Sequence, residues 1–295
     1  MPTVRVRVPA KINLVLAVGP LRPDGYHDLA TVFHAVSLYD DVSAEAAAEL
    51  SLEVDGPYAA GVPVDESNLA MRAARALAKH AGVPAAARVH VRKRIPVAGG
   101  MAGGSADAAG VLLACNELWG LDLDHAQLAA VAATLGSDVP FALTGGTALG
   151  YGRGERLESV DMAGLLHWVI AVASGGLSTP EVYRRLDALR AGVAVPEPVI
   201  AAGVVVALRS GDAESVAALL HNDLQAVAID LYPALAGTLS TGRALGAIGG
   251  LVSGSGPTCA FLARDAAHAA ELADALAASG TCAAALAGTG PAGVG

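Results

Sequence analysis

Positive charge is scarce in this sequence. In 295 residues, 19 lysines and arginines stand against 28 aspartates and glutamates, a net charge of −9. A surface that coats nucleic acid needs a basic stripe, and the one basic cluster is the short run Arg92, Lys93, Arg94, so no nucleic-acid partner is expected. That run reads either as phosphate-facing or as a solvated strand end. Cysteine is scarcer still. Cys115, Cys259 and Cys282 are widely spaced in apolar surroundings, which excludes a disulfide framework or a metal knuckle and fits a reducing, cytoplasmic compartment. No basic segment followed by an apolar one precedes the strand-like run from Val4 to Val8, so no export signal is expected. Long apolar runs are missing as well. The uncharged stretch 162–180 is broken by Gly175 and Gly176, and 244–263 by the run from Ser253 to Pro257, which leaves no membrane span.

What the sequence does have is glycine at one place that matters. The stretch Pro96 to Ala106 lies between an alternating strand, 89–95, and an apolar-periodic helix. Gly99, Gly100, Gly103 and Gly104 permit positive φ and a close backbone approach, so several N–H groups can turn toward one phosphate chain at the helix start. The stretch reads as a cradle for a nucleotide triphosphate; from the glycines alone, a tight packing site between strand and helix is the other reading. It is not a Walker A loop, because Ser105 stands where the lysine belongs. The one G-x-G-x-x-G, at Gly288, Gly290 and Gly293, has no room for a helix after it and is not a dinucleotide fingerprint.

Along the chain, Val4, Val6 and Val8 alternate with Arg5 and Arg7 as in a half-buried strand, which Pro9 is expected to end. Ile12, Leu14 and Leu16 take the opposite parity, so Lys11 and Asn13 share one face of the resumed strand. A single strand lysine is most commonly solvated, and Lys11 by itself carries no function. A turn from Arg22 to His27 delivers Tyr26 and His27 side by side. That pair suits a stacked heterocycle, and equally a core-edge tyrosine beside a loop-capping histidine. Strands are expected over 31–41 and 50–54, and a helix capped by Ser67 or Asn68 runs to about His80.

After the glycine stretch, Ala108, Leu112, Cys115 and Trp119 form a buried helix stripe. Asp107 falls in that helix's first turn, where it suits the dipole but repels a phosphate unless a cation intervenes; Mg²⁺ carried by the nucleotide is expected to resolve the conflict. A helix over 126–135 should end at Gly136 in the left-handed conformation. Pro140 then marks a short helix capped by Ser137 or Asp138, and as a plain N-cap Asp138 needs no further role. A composition shift near Arg153 divides the chain into domains 1–153 and 154–295. The second half reads as a strand over 167–173, a helix with Thr179 and Tyr183 at its start, helices over 199–209 and 212–228, a second glycine loop over 249–258, then strand, helix and strand to 287. Helices over a mainly antiparallel sheet give an α+β fold.

Five signals fall in one order: Pro9 to Asn13, Asp24 to His27, the 96–106 loop, Gly136 to Phe141, and Ser253 to Thr258. In this set the chain resembles the superfamily of galactokinase, homoserine kinase, mevalonate kinase and phosphomevalonate kinase, over about 280 residues. Within it, the Lys11, Asn13 and Tyr26, His27 pairs resemble the branch that acts on a cytidine-diphosphate-linked methylerythritol in non-mevalonate isoprenoid synthesis. The resemblance implies a ribosomal-protein-S5-like N-terminal domain, a ferredoxin-like C-terminal domain, and a cleft between them where ATP meets this small-molecule substrate. It implies phosphorylation of the substrate's 2-hydroxyl. Lys11 and Asp138 would be the catalytic pair. Pro96, Val97, Ala98, Gly99, Gly100, Met101, Ala102, Gly103, Gly104, Ser105 and Ala106 would wrap the ATP phosphates, with Mg²⁺ carried by ATP rather than by a protein metal site. Tyr26, His27 and Tyr183 would grip the cytosine, with Asn13 and Thr179 beside the substrate. Ala98, Met101, Ala102 and Ala106 depart from the glycine-richer family loop and leave its path open. A kinase of homoserine or a mevalonate derivative is the alternative of the same class. A non-catalytic nucleotide sensor would lack the base or the lysine, and both are present.

Overall fold

A computed structural model describes residues 3–97 and 99–295; Ala98, assigned above to the phosphate loop, lies outside the described residues. The first half runs β1 (Val4–Leu21), β2 (His27–Ala46), β3 (Ser51–Asp55), α1 (Leu69–Ala81), β4 (Ala87–Arg92), α2 (Gly103–Leu118), α3 (His125–Leu135), α4 (Val139–Thr144), β5 (Thr147–Gly152) and β6 (Arg156–Ser159). The second runs β7 (Leu166–Val172), α5 (Thr179–Leu189), α6 (Ala202–Ser210), α7 (Ala213–Ala217), β8 (His221–Asn222), α8 (Gln225–Leu231), α9 (Ala234–Ala244), β9 (Gly249–Val252), β10 (Cys259–Ala263), α10 (Ala266–Ser279) and β11 (Ala284–Gly290).

The first, seven-stranded sheet has the order β3-β4-β2-β1-β8, with β5 on β2 and β6 on β5. Strand β2 is long enough to hold β5 antiparallel through residues 29–34 and β4 antiparallel through 41–46. Its other edge carries β1. Pro9 does not end β1; the β1–β2 ladder continues through it with a register shift between Pro9 and Ala10, where the missing N–H costs no pairing. Helix α2 lies on this sheet with Ala108, Leu112 and Cys115 fully buried, as the stripe predicts. Asn68 caps α1 by accepting from the Ala70 N–H at 2.8 Å. Gly136 ends α3 at φ 175°, which is extended backbone and not the expected left-handed position.

The second sheet has the order β11-β7-β10-β9, all antiparallel. Numbered within the sheet this is 4-1-3-2, with helices between its first and second and its third and fourth strands, the ferredoxin-like arrangement. The chain is thus α+β in two layers of sheet and helix. The single helix expected over 212–228 is instead α7 and α8 broken by β8. Val15 and Leu16 of β1 pair in parallel with His221 and Asn222, and Asn222 Nδ2 donates to the carbonyls of Val252 and Gly254 at 2.7 and 2.8 Å. Sheet pairing and a buried amide outweigh helix propensity there. The first sheet also takes β6 from beyond residue 153, and the far end returns to it, with the Gly295 N–H donating to the Arg7 carbonyl at 3.0 Å. Among the described residues no helix is long and apolar enough to cross a membrane.

Candidate active site

Lys11 and Asn13, two apart on β1, turn to the same side, as parity requires. Lys11 is only 7% exposed, so its ammonium needs partners. Nζ donates to Asn13 Oδ1 at 2.7 Å, Asn13 Nδ2 donates to the Thr31 hydroxyl at 2.8 Å, and that hydroxyl donates to the Val15 carbonyl at 2.7 Å. A carbonyl accepts only, so the direction of the whole chain is set: the Asn13 amide oxygen faces the lysine. The other neighbour of Nζ is Asp138 Oδ2, 3.5 Å away, with the Phe33 ring centroid at 5.3 Å. Asp138 holds the N-cap position of α4 without making a side-chain cap bond. The plain N-cap reading is therefore replaced. Its carboxylate, 30% exposed, turns to Lys11 and to open cleft.

The glycine loop meets both β1 and the second glycine loop. The Met101 carbonyl accepts the Lys11 N–H at 3.2 Å, the Gly99 carbonyl accepts the Thr258 N–H at 3.3 Å, and the Gly100 carbonyl accepts the Ser253 hydroxyl at 3.1 Å. Gly100 has φ 74°, and a Cβ there would lie 2.2 Å from the Ser253 carbonyl oxygen, so no larger residue fits. The second left-handed residue is Ala102 at φ 56°, where Gly103 and Gly104 were the sequence-based expectation; those two open α2 in helical conformation. Opposite, Gly254 at φ 55° approaches the site so closely that a Cβ would lie 3.3 Å from Asn13 Oδ1 and 3.7 Å from Lys11 Nζ. Pro96, Val97, Gly99, Gly100, Ala102, Gly103 and Gly104 line the cleft, whereas Met101 and Ala106 are buried in the core and Ser105 is half-buried.

Beneath the loop lies a second lysine. Lys93, 2% exposed, donates to Asp40 and, at 2.8 Å, to Asp107. Asp107 is the fifth residue of α2, one turn later than expected; Lys93 stands at its Oδ2, while its Oδ1, at the cleft wall, has no hydrogen-bond partner among the described residues. Burial outweighs that ammonium and, with help from the Asp40 charge, pushes the Asp107 carboxyl up to about 7. Arg94 pairs with Asp41 at 2.7 Å, Arg92 is exposed as at a solvated strand end, and Lys93 is buried at the cleft wall.

The far wall of the cleft, which encloses about 1120 Å³, comes from the 22–27 turn and α5. His27 Nδ1 lies 2.9 Å from the Gly19 carbonyl and so carries a proton, its Nε2 is 3.3 Å from Asp187 Oδ1, and its ring stacks on Tyr183 at 5.3 Å. Burial, and the charge of Asp138, raise the Tyr183 hydroxyl well above its usual range, so it stays protonated. Tyr26 is exposed, with the Arg153 guanidinium over its ring at 5.0 Å. Thr179 bonds the Ser255 hydroxyl at 2.8 Å, tying α5 to the second glycine loop. Asp187, Arg153 and Asn68 also line the cleft; Asp187 was not singled out from sequence, Arg153 was read only as a boundary and Asn68 only as a helix cap. Asp187 was within reach of the sequence: Thr179, Tyr183 and Asp187 recur every four residues on one face of α5.

A glycine-rich turn, an ammonium and a partly exposed carboxylate face one cleft, an arrangement suited to phosphoryl transfer, and the sequence families point the same way. GHMP kinases N terminal domain matches residues 68–146, and GHMP kinases C terminal matches 204–282. The chain belongs to the GHMP kinases and is a small-molecule kinase. It is 59% identical to 4-diphosphocytidyl-2-C-methyl-D-erythritol kinase of Streptomyces avermitilis over 280 residues, 95% of this chain and 94% of that one. Among solved structures, 4-(cytidine 5'-diphospho)-2C-methyl-D-erythritol kinase superposes with a TM-score of 0.79 at 37% identity, covering 96% of this chain and 98% of that one. Homoserine kinase from Cytophaga hutchinsonii, at 17% identity and a TM-score of 0.74 over 100% and 94% of the two chains, shares the fold.

Proposed function

We propose that this kinase transfers the γ-phosphoryl group of ATP to the 2-hydroxyl of 4-diphosphocytidyl-2-C-methyl-D-erythritol, a step of non-mevalonate isoprenoid synthesis. The observation that carries the reading is the pairing of Lys11 Nζ with Asp138 Oδ2 at 3.5 Å, in one cleft with the glycine loop on one side and His27 and Tyr183 on the other. Phosphoryl transfer passes through a loose transition state, so the protein mainly aligns the hydroxyl and offsets charge. Asp138 accepts the hydroxyl proton as that oxygen bonds to the γ-phosphorus and the bond to the departing ADP breaks. Lys11, held by Asn13, orients the hydroxyl oxygen and steadies the developing charge. Loop N–H groups from Gly99 to Gly104, at the start of α2, receive the phosphates. Mg²⁺ arrives with ATP as part of the substrate; among the described residues no group of three or more His, Cys, Asp or Glu forms a cage of its own. Tyr26, His27 and Tyr183 face the cytosine, and Thr179 stands beside the substrate. A two-domain division goes with this reading, with β6 at Arg156–Ser159 carrying the first sheet past the expected boundary at 153 and the cleft lined from both halves of the chain. ADP release measured with the cytidine-linked methylerythritol, homoserine and mevalonate tests it: turnover with the first alone is expected, and turnover with either of the others in its place overturns the substrate assignment.

A further inference from the structure

The buried ions under the glycine loop take no part in the steps above, yet each is bonded to one end of that loop. Asp40 on β2 uses Oδ1 to accept the N–H groups of Arg94 and Ile95, at 2.5 and 2.8 Å, the two residues directly before Pro96. Its other oxygen holds Lys93. Lys93 in turn holds Asp107 on α2, and a Cβ added to Gly103, the first residue of that helix, would lie 3.2 Å from Nζ. The entry of the turn is therefore bonded directly to the Asp40 carboxylate, and α2, which follows its exit, is linked to the same side chain through the Lys93 ammonium and Asp107. The turn between them needs fastening. Ala102 sits in the left-handed region, where a residue with a Cβ is strained and stays only if its surroundings over-determine it. Three ionisable groups in the core are a costly way to fill space, since apolar side chains of the same volume would serve stability as well.

We propose that Lys93 is a positioning residue for the ATP phosphates, acting through Asp40 and Asp107 to fix both ends of the 96–102 turn. It touches neither reacting atom and acts through the N–H groups whose direction it sets. The inference rests on the reading that this loop receives the ATP phosphates. Loss of the Asp107 tether frees the start of α2, so the phosphates lose aligned donors while the acceptor's side of the cleft is untouched.

The test is steady-state kinetics with ATP and the acceptor varied separately, on Asp107→Ala, Asp107→Asn and Gly104→Val, each checked by thermal melting. Asp107→Ala is expected to raise KM for ATP roughly tenfold with the acceptor KM unchanged. Asp107→Asn keeps an oxygen for Lys93 and is expected to restore KM for ATP to within about twofold of the parent, a rescue that loss of general stability does not give. Asp107→Leu replaces the alanine variant if the latter does not fold. An unchanged KM for ATP in a folded Asp107→Ala or Asp107→Leu protein overturns the proposal, as does an equal rise in both KM values. Gly104 faces open cleft, with no atom within 4 Å of an added Cβ, so Gly104→Val folds and blocks the phosphates. If Gly104→Val raises KM for ATP and Asp107→Ala does not, the clamp falls and the loop assignment stands. If Gly104→Val changes nothing, the loop assignment itself falls.

Discussion

Two buried lysines, each beside a carboxylate, lie on either side of the glycine loop, and they are finished differently. Lys93 is enclosed by Asp40 and Asp107, and Asp40 spends its second oxygen on two backbone N–H groups. Lys11 has one tight partner, the neutral Asn13, while Asp138 stands back at 3.5 Å with its side chain 30% exposed and no cap bond to make. The enclosed cluster is suited to holding geometry, because a change of partner leaves a buried charge exposed to the core; of its carboxylate oxygens, Asp107 Oδ1 alone has no hydrogen-bond partner among the described residues. The open pair is suited to chemistry, because a proton acceptor that is fully bonded has nothing left to offer a hydroxyl.

The largest effects should come from breaking this contrast. Asp138→Asn is expected to lower turnover by about 10² to 10⁴ with little change in nucleotide affinity, read by ADP release and by direct ATP binding. Near-normal turnover would remove Asp138 from the proton path. Lys93→Met leaves two carboxylates buried face to face and should cost about 3 to 5 kcal/mol in urea denaturation. Lys11→Met, beside a carboxylate that reaches solvent, should cost about 1 kcal/mol or less while abolishing turnover. Comparable losses of stability in the two lysine variants would erase the distinction.

Smaller effects follow from two buried titrating groups. His34, fully buried behind the second sheet with its ring 5.8 Å from Trp168, is held neutral, its pKa pushed down to about 3 by burial. The unfolded chain binds that proton from about pH 6.5 downward, so stability present above 6.5 is lost on acidification, about 2 kcal/mol between pH 6.5 and 4.5. Asp107 has the opposite sign. Its folded value near 7 lies above the ordinary carboxylate range, so its contribution is intact in acid and is lost as pH rises through 7. Asp107→Asn should therefore gain on the parent by about 2 to 3 kcal/mol between pH 5 and 8, measured by melting across that range. A gap that does not move with pH would mean that Asp107 stays ionised throughout.

Much of the open site was legible in the residues, because its signals are local. Alternation along β1 puts Lys11 and Asn13 on one face, and the Pro140 spacing puts Asp138 at a helix start. The closed cluster was not legible. Asp40, Lys93 and Asp107 carry no shared period, and Lys93 reads from sequence as one member of a basic run. The strand β8 was equally hidden, since 212–228 has the composition of one helix and only the edge of β1 draws residues 221–222 into a sheet. Positive φ falls at Gly100 and at Ala102, while Gly103 and Gly104, which the sequence also left free to take it, open α2 in helical conformation.

Periodicity, turn residues and the placement of glycine, all properties of neighbours in the chain, determined the α+β class, the position of the glycine loop and the identity of the polar residues on β1. Tertiary structure alone decided which of those residues meet. Charges from β1, β2, the end of β4, α2 and α4 come within bonding distance only when the sheet and its helices have packed. How much solvent each keeps, which separates the half-open Asp138 from the enclosed Asp40 and Asp107, is a property of that packing.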